Sequence, residues 1–329
     1  MRKNSNLLQS RSFYPWLILL LAAGFFFAEY FARVAPSVMV PDLMKAFNVN
    51  ALSLGALSAF FYYAYVAMQL PVGTLMDRYG PRRLLSIMAG VCGIACLLFA
   101  KTHSLWMADL ARFLMGFSAA FAFVGALKIA RTWFSPKRFG FLAGLTQALG
   151  MVGAAVGEGP VSYLVAAYGW RQTMVMIGLF LLLLALLIAI LVRDKNTEDL
   201  DITQDRKKNP EKTPILQSLR IVLKNPQTWI NGLIVGCLYA PTASFAELWG
   251  ASYIHAVYGL KVEVAATGVG LIFIGWAIAS PLAGWLSDKI GKRKPVIIGS
   301  LILSLIFMGL VLYLPHLSKL EFFILLFCY

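Results

Sequence analysis

Apolar runs long enough to cross a lipid bilayer follow one another along almost the whole of this 329-residue chain. A helix of about 20 residues spans a hydrocarbon core of ~30 Å, and the runs have that length. Lipid offers no water to open backbone groups, and the runs lack the alternating polarity of barrel strands, so we predict helices. The composition is 60% hydrophobic and 13% charged, which leaves too little polar surface to cover a soluble core. The sequence therefore predicts an all-α integral membrane protein.

Nine spans and the start of a tenth can be placed on these runs. A secretory signal is an alternative for the first run, which follows Arg2, Lys3 and Arg11. That run is longer than a signal and contains Glu29 and Arg33, which favours a true span. We predict spans at residues 14–40, 52–75, 83–100, 104–131, 138–165, 171–192, 227–253, 263–287 and 294–314, with a tenth from residue 320.

The basic residues lie mainly on one side of this topology. With the N-terminus in the cytoplasm, 21 of the 29 Lys and Arg residues fall in cytoplasmic segments and five fall in the opposite loops. This asymmetry is the positive-inside rule. The net charge of +14 is therefore explained by topology in a cell membrane, which we expect to be a bacterial inner membrane, and no nucleic acid partner is predicted.

A long polar segment separates six predicted spans from the rest. Residues 193–224 carry eight bases and six acids among few apolar residues, a composition typical of a partly disordered linker. The stretch ILQSLRIVLK at its end has the pattern of an amphipathic surface helix. We predict a six-helix N-terminal bundle at 1–192, a cytoplasmic linker at 193–225 and an incomplete C-terminal bundle at 226–329.

A charged stretch occurs twice. GTLMDRYGPRR, residues 73–83, lies at the end of the second span, and GWLSDKIGKRK, residues 284–294, lies at the end of the eighth. The two stretches are 211 residues apart, and the same offset aligns Tyr65 with Trp276. A constant offset over this distance indicates two homologous halves in parallel repeat, an arrangement found in secondary transporters. Three pairs share the offset of 211: Gly73 and Gly284, Asp77 and Asp288, and Gly80 and Gly291.

The doubled stretch resembles the signature loop of the major facilitator superfamily, usually G-x-L-x-D-R-x-G-R-K, with Pro81 in place of a common base. LARFLMGFSAA resembles the family's Arg-x-x-x-Gly motif, which gives Arg112 and Gly116, although Met115 replaces a frequent Gln. GMVGAAVGEGP resembles the family's glycine-rich fifth helix, with Glu158 inserted. This helix carries a face of small residues suited to close helix contact: Gly150, Gly153 and Gly157.

The resemblance implies a major facilitator fold of twelve helices in two bundles. This sequence ends at Tyr329 inside its tenth apolar run, so we expect a C-terminally truncated chain with about 9–10 of the 12 transmembrane helices. AEYFARVAPSVMVPDLM also resembles the branch that holds bacterial relatives of the lysosomal dipeptide carriers.

The charged loops are candidates for gating. Their bases serve as topology anchors in the simplest interpretation, which leaves the spaced Gly and Asp unexplained. Gly73 lets another helix approach, Gly80 can take positive φ, and Asp77 can accept from N–H groups at a neighbouring helix start. The resemblance implies a latch between the halves, which for the first loop lacks its partner helix. Predicted gating residues are Gly73, Asp77, Arg78, Gly80, Arg82, Gly284, Asp288, Lys289 and Gly291.

Charged residues inside spans need a partner or a water-filled cavity. Glu29 and Arg33 share a face of the first span, as a self-neutralising ion pair or as cavity residues. In the second reading Arg33 meets a substrate carboxylate, and Glu29 meets an ammonium group or a proton. Aromatic residues of FFYYAY are packing or cavity lining. Predicted substrate-binding residues are Glu29, Tyr30, Arg33, Tyr62, Tyr65, Lys128 and Glu247.

Three further charges are candidates for proton coupling: Asp109, Arg112 and Glu158. Asp109 and Arg112 are i,i+3 neighbours, so mutual pairing is the simplest explanation, while the resemblance implies a coupling role for Arg112. Glu158 and Glu247 have no base on their own helix and must be protonated, reach water or meet a base from elsewhere. For Lys128 the alternative to substrate binding is that its long side chain extends to the cytoplasmic surface without a role in a site.

Function follows from these features taken together. We predict secondary active or facilitative transport of a small polar organic solute, an amino acid, dipeptide or organic anion, by alternating access. Enzymatic motifs and an ATP-binding loop are missing from the sequence, and the four cysteines have no neighbouring His, so neither an enzyme nor a cofactor or metal is predicted. We expect a monomer in the bilayer, with protons as a possible second partner and symport as one mode. A non-transporting remnant or membrane sensor is the alternative.

Overall fold

The computed structural model of the protein describes residues 13–135, 138–194, 224–314 and 317–329. Regular structure in these ranges is helical, which confirms the predicted all-α fold. A 3-10 segment at Ala35–Met39 and a π-helical segment at Thr242–Trp249 follow two of the helices. The α-helices are Tyr14–Val34, Val40–Phe47, Ala51–Gln69, Pro71–Tyr79, Pro81–Lys101, Leu105–Trp133, Phe139–Tyr168, Trp170–Leu191, Pro226–Pro241, Gly250–Tyr258, Val262–Ile290, Arg293–Tyr313 and Lys319–Cys328.

Nine stretches of the described residues are long and apolar enough to cross a membrane, the number that the sequence predicts. The tenth apolar run forms the helix Lys319–Cys328, and a capping box between Ser318 and Glu321 closes its first turn. Most of the predicted linker at 193–225 lies outside the described residues. The first to ninth spans are Tyr14–Phe47, Ala51–Gln69, Pro81–Lys101, Leu105–Trp133, Phe139–Tyr168, Trp170–Leu191, Pro226–Tyr258, Val262–Ala283 and Lys294–Tyr313.

The first and second spans end at other residues than predicted, and the local sequence explains both differences. The first span continues past residue 40 in an amphipathic turn and ends at Phe47, where Asn48 takes a φ of 51°. The second span is predicted at 52–75, but its helix ends at Gln69 and a new helix starts at Pro71. The proline ring fits the first turn of a helix and not its interior.

Proline also accounts for the two irregular segments. Pro36 lies in the 3-10 segment of the first span, and Pro241 directly precedes the π-helical segment of the seventh. A proline lacks the N–H of an α-helical hydrogen bond, so the turns around it change their bonding pattern. Both irregular segments pack against each other, which brings the first and seventh spans together.

The first six spans pack into one bundle. The first span contacts the fourth, fifth and sixth, and the second lies against the fourth. The predicted small-residue face of the fifth span, with Gly150, Gly153 and Gly157, packs against the first. A Cβ built on Gly157 would lie 2.8 Å from Phe31 Cα, so only glycine permits this approach.

The third and sixth spans run antiparallel in a register fixed by three contacts. Arg82, at the start of the third helix, donates to Ala189 O at the end of the sixth, at 2.7 and 3.1 Å. Arg171, at the start of the sixth, donates to two carbonyl groups at the end of the third, at 2.6 and 2.8 Å. Between these ends a Cβ on Gly93 would lie 2.8 Å from Gly178 O. Each helix thus satisfies carbonyl groups that the other leaves open at its end.

The two halves meet where the fifth span lies against the eighth. A Cβ on Gly159 would lie 3.7 Å from Thr267 Cα, and one on Gly270 would lie 3.2 Å from Ala155 O. These positions lie toward the end of the bundle opposite the charged loops. Toward the charged loops the eighth helix is exposed, as at Ile278 with 50% of its surface accessible. The fifth and eighth spans are therefore in close contact at the end of the bundle opposite the charged loops.

Candidate functional site

Two oppositely charged side chains are buried together in the first span. Glu29 and Arg33 expose only 1% and 3% of their surfaces. Arg33 Nη2 donates to both carboxylate oxygens of Glu29, at 2.9 and 3.1 Å. Their i,i+4 spacing puts them on one helix face, as the sequence predicts. The pair lies in the protein interior, so it faces the bundle and not lipid.

Aromatic rings surround the Arg33 guanidinium. Its central carbon lies 4.3 Å from the ring centre of Tyr30, 4.7 Å from that of Tyr65 and 5.1 Å from that of Phe61. Ring faces attract a cation at these distances, more strongly where water is excluded. The structure therefore brings two of the predicted aromatic residues to the charge and adds Phe61.

The cluster continues into the second half of the chain through Tyr239. Arg33 Nη1 donates to the Tyr239 hydroxyl at 3.3 Å, and this hydroxyl donates to Glu247 Oε1 at 2.5 Å. The Tyr62 hydroxyl donates to the other oxygen of Glu247. A continuous chain of polar contacts thus joins Glu29 in the first span to Glu247 in the seventh.

The π-helical segment Thr242–Trp249 places Glu247 in this cluster. In an α-helix of about 3.6 residues per turn, positions eight apart point roughly 80° away from each other. The wider π turns after Pro241 bring Tyr239 and Glu247 to the same side, where they bond. Short π-helical insertions recur at functional sites, which supports a role for this one.

One donor of the cluster is left open. Arg33 Nε is buried and has no hydrogen-bond partner among the described residues. A guanidinium carries five N–H donors in a planar fork, and burying one without an acceptor is costly. The arrangement therefore has the chemistry to accept a ligand oxygen beside Arg33.

Two aromatic residues that share the offset of 211 contact members of this cluster. Tyr65 stacks over Arg33, and Trp276 lies 6.2 Å from the Tyr239 ring. Homology of the two halves stays a prediction.

Arg112 has partners that the sequence did not indicate. Its Nη1 donates to Ala32 O at 3.0 Å, and its Nη2 donates to Arg33 O at 3.2 Å. In a regular α-helix the N–H of residue 36 would bond Ala32 O, but Pro36 has none. Arg112 of the fourth span therefore satisfies a carbonyl group that the break in the first span leaves open.

The predicted pairing of Asp109 with Arg112 is wrong. Asp109 Oδ1 is buried without a hydrogen-bond partner in the described ranges, and the Arg112 donors go to the first span. The i,i+3 spacing permits the pair, but two carbonyl groups compete for the guanidinium. A coupling role for either residue stays a prediction.

Lys128 does not reach the cluster. Its ammonium group forms an ion pair with Asp77 of the first charged loop, and the two side chains are 29% and 59% exposed. The long lysine side chain extends toward the charged-loop end of the fourth helix. No contact in the described residues supports a role for Lys128 in substrate binding, which stays a prediction. Asp77 has this lysine as its partner and not the helix N–H groups that we expected.

The first charged loop is held by the sixth span. Gly80 has a φ of +79°, as predicted, and the backbone N–H of Arg82 donates to Asp194 Oδ1 at 3.0 Å. Gly73 does not mediate a close contact, since a Cβ there would meet no described atom within 4 Å. Arg78 lies 5.4 Å from the ring of Tyr79.

The second charged loop shares one backbone feature with the first. Gly291 has a φ of +68°, in the same region as Gly80. Lys289 ends the eighth helix and is exposed. The side-chain surroundings of Gly284 and Asp288 lie outside the described part, so gating by these residues stays a prediction.

Glu158 lies apart from the Arg33 cluster. It is completely buried in the fifth span, and Ser37 Oγ donates to its Oε1 at 2.5 Å. Glu158 Oε2 has no hydrogen-bond partner in the part of the chain that the structure describes. The fifth span meets the first and the eighth around this residue.

Comparison with known proteins identifies the family. A family model described as Major Facilitator Superfamily matches residues 19–329. The chain belongs to that superfamily. With its apolar spans, it is a multi-pass membrane protein of the all-helical major facilitator fold.

Three curated relatives show how far the likeness extends. The chain is 27% identical to the uncharacterized transporter YybO of Bacillus subtilis, over 90% of the chain and 72% of YybO. It is 26% identical to the probable sulfoacetate transporter SauU of Cupriavidus necator, over 84% of the chain and 66% of SauU. It is 25% identical to the membrane sensor protein UhpC of Salmonella typhimurium, over 81% of the chain and 63% of UhpC. The chain thus spans about two thirds of these relatives.

A solved structure agrees on the fold. A bacterial homolog of the human lysosomal transporter Spinster, in an inward-facing and unoccupied conformation, matches with a TM-score of 0.72. The match covers 97% of this chain and 73% of that protein at 17% identity. At this identity the likeness supports the major facilitator fold and nothing finer.

Ser37 and Tyr239 were not predicted from the sequence, and Phe61 was indicated only as one of the aromatic residues of FFYYAY. Ser37 lacks a charge and lies in an apolar run. Tyr239 is separated from Glu247 by a spacing that does not align in an α-helix. Pro241, inside the same span and six residues before Glu247, is the signal that indicates an irregular turn there.

Proposed function

We propose that this protein moves a small organic anion across the membrane by alternating access, and that the Arg33 cluster binds the solute. The observation that carries the proposal is the buried, open Nε donor of Arg33 beside an ion pair and three aromatic rings. Arginine is suited to oxyanions, because its parallel donors match the two oxygens of a carboxylate or two of the three oxygens of a sulfonate. Family membership supports transmembrane transport in general, and the probable sulfoacetate transporter among the relatives supports an anion.

The cluster also supports coupling of solute binding to movement. Arg33 and Tyr62 belong to the first half, whereas Tyr239 and Glu247 belong to the second. A solute that takes donors from Arg33 competes with these bonds between the halves. A ligand shifts a conformational equilibrium by the difference in its affinities for the two states, and contacts at such a junction supply that difference.

The charges of the cluster favour proton symport. One guanidinium faces the two carboxyl groups of Glu29 and Glu247. An added anion would place three negative groups around one cation in a region of low dielectric, which is costly. Uptake of a proton by either carboxyl removes one negative charge and frees donors for the solute. We therefore include the proton as a partner.

The location belongs to the same proposal. The excess of basic residues on one side supports a cytoplasmic N-terminus in a bacterial inner membrane. We propose that the protein acts there as a monomer, with residues 1–192 and 226–329 as the two moving bundles and 193–225 as their linker.

Uptake into liposomes tests the proposal. The purified protein is reconstituted, and uptake of radiolabelled sulfoacetate, galactonate and dialanine is measured with and without an inward proton gradient. The solute that the wild type accumulates is then followed with Arg33→Gln. Two charge-assisted hydrogen bonds contribute about 3 kcal/mol or more, so we expect a loss of at least ~100-fold.

Arg131→Gln is the matched control, since this arginine is exposed at the end of the fourth helix. It should leave uptake within about twofold of the wild type. Unchanged uptake by Arg33→Gln would refute the site. Accumulation of dialanine but of neither anion would favour an amphoteric solute, which the two carboxyl groups also suit.

A sensor is the second candidate, because the chain resembles the membrane sensor protein UhpC over 81% of its length. A sensor of this fold binds its solute through the same cluster but does not release it on the other side. Saturable binding of an anion to the reconstituted protein, abolished by Arg33→Gln and without uptake, would favour the sensor.

A further inference from the structure

Glu158 lies where the first and fifth spans meet the eighth span of the other half. Beside it, a Cβ on Gly157 would touch Phe31 of the first span, at 2.8 Å from its Cα. On the other side a Cβ on Gly270 of the eighth span would lie 3.7 Å from Glu158 Cβ. Gly159 faces Thr267 of the same eighth span. The carboxyl is therefore enclosed by the contact that closes the bundle.

The carboxyl has a single hydrogen-bond partner in the described residues. Ser37 Oγ lies 2.5 Å from Oε1, while Oε2 is buried and unpartnered. A carboxylate accepts several hydrogen bonds, and leaving an ionised one without water or a cation in an apolar interior is costly. A neutral carboxyl suits this position far better than a charged one.

The charged groups on the elements around Glu158 do not neutralise it. On the first span, Arg33 lies one turn before Ser37 but is bonded to Glu29 and Tyr239. On the fourth span, Arg112 donates to carbonyl groups of the first span, and Asp109 is itself an acid.

The charged groups on the sixth and eighth spans do not neutralise Glu158 either. On the sixth span, Arg171 lies at the same end of the bundle but donates to Ala100 O and Thr102 O at the end of the third helix. On the eighth, the charged residue near this level is Glu263, one turn from Thr267, and it is itself an acid.

We propose that Glu158 is a proton-binding site, separate from the solute cluster, that keeps the fifth and eighth spans together while it holds its proton. The ionised carboxyl needs water, and water reaches this position when those two spans separate. Opening of the closed end and release of the proton are then one linked event. As a coupling device the site rests on the proposed transport function, whereas its proton-linked opening is independent of any solute.

Ser37 connects this site to the solute cluster. It lies in the 3-10 segment Ala35–Met39, directly after the helix that carries Arg33. The same segment packs against the π-helical segment that carries Glu247. A shift of the first span at its break therefore moves the Glu158 partner and the solute site together.

Proton binding by Glu158 and separation of the fifth and eighth spans are thermodynamically linked, which determines the direction of the pH effect. The closed state binds the proton more tightly than the open state, because only the open state hydrates the charged carboxyl. Raising the pH therefore favours the open state. For one proton the ratio of open to closed molecules rises at most tenfold per pH unit.

Distance measurements between spin labels test this without a solute. Labels are placed on Tyr168→Cys at the end of the fifth helix and Lys261→Cys before the eighth, both at exposed positions. Exposed Cys237 and Cys328 are replaced by serine, and buried Cys92 and Cys96 stay. Electron resonance distances are recorded in lipid nanodiscs between pH 5 and pH 9.

In the parent background we expect the long-distance population to grow with pH, with the ratio rising by up to tenfold per unit. Glu158→Gln should hold the ratio within about twofold over the range, because glutamine stays neutral. Glu263→Gln, a carboxyl of the same junction, should keep the full pH response. A parent protein without pH response, or a Glu158→Gln protein that keeps it, would overturn the proposal.

A second variant guards against misfolding of Glu158→Gln. Ser37→Ala removes a hydrogen bond that holds the carboxyl in the closed, protonated state, so the closed state loses stabilisation and the midpoint of opening should move down by up to about one pH unit. An unmoved midpoint, or a response to Na⁺ at fixed pH in place of a response to protons, counts against the site. The uptake assay with Arg33→Gln tests the solute site, and its outcome does not depend on the spin-label distances that test Glu158.

Discussion

Replacement of Arg112 by methionine tests whether this side chain holds the broken first span together. The guanidinium is 98% buried and donates to Ala32 O and Arg33 O at 3.0 and 3.2 Å. Methionine keeps much of the volume and removes both donors. In soluble proteins each hydrogen bond from a charged donor contributes about 1.5–3 kcal/mol to stability. Loss of two such bonds would therefore lower the unfolding free energy by at most about 3–6 kcal/mol.

Side-chain hydrogen bonds inside membranes average about 0.6 kcal/mol, which sets the lower limit near 1 kcal/mol for two bonds. Because Ala32 O has no helical N–H to return to, we expect about 2–4 kcal/mol of lost unfolding free energy for Arg112→Met. Pro36→Ala supplies the missing N–H at the position that should bond Ala32 O. In that background the loss of Arg112 should cost at least ~1 kcal/mol less.

The assay is a double-mutant cycle on the purified protein. Unfolding in mixed micelles is followed by circular dichroism for the parent, Arg112→Met, Pro36→Ala and the double variant. The pair lies in contact through one carbonyl group, so a coupling energy of 0.5–3 kcal/mol is the normal range. Additive effects within about 0.3 kcal/mol would refute the account of Arg112 as the partner of the open carbonyl. An unchanged stability of Arg112→Met together with altered proton coupling would favour the role implied by family resemblance.

Three further predictions use other contacts. Gly93→Ala should lower the unfolding free energy by about 1–3 kcal/mol through overpacking against the sixth span, whereas Gly140→Ala, with open space around its Cα, should not. Tyr239→Phe keeps the ring but removes the hydroxyl between the two halves, so solute affinity in the uptake assay should change about tenfold; an unchanged affinity would contradict its place in the cluster. A double-mutant cycle of Lys128→Ala and Asp77→Asn should give no more than about 1 kcal/mol, reduced by salt, because the pair is partly exposed; a larger value would indicate an enclosed latch.

The sequence predicted the features that depend on length and spacing along one helix. The nine spans follow from apolar length, and the contact of Glu29 with Arg33 follows from their i,i+4 spacing. The offset of 211 paired Tyr65 with Trp276, and both flank the cluster. These features need no knowledge of how the helices are arranged.

Features that depend on broken helices were not predictable in the same way. Asp109 and Arg112 have a suitable spacing, yet a carbonyl opened by Pro36 on another span takes the guanidinium. Tyr239 and Glu247 align through π turns, which sequence periodicity does not show. Lys128 pairs with Asp77 and not with the cluster, because a side chain of its length reaches well beyond its own position.

The two irregular segments also suggest why the functional groups are gathered at this level of the bundle. A regular helix satisfies its own carbonyl and N–H groups, so it moves as a rigid body and offers no free polar group to a ligand. The first and seventh spans are not regular α-helices at Ala35–Met39 and Thr242–Trp249, and these two segments pack against each other. There, side chains of neighbouring helices complete the bonding, as Arg112 does for Ala32 O. Bonds that pass between helices, unlike bonds within one, can be exchanged when helices move relative to one another, and the Arg33 cluster and Glu158 are both held by such bonds.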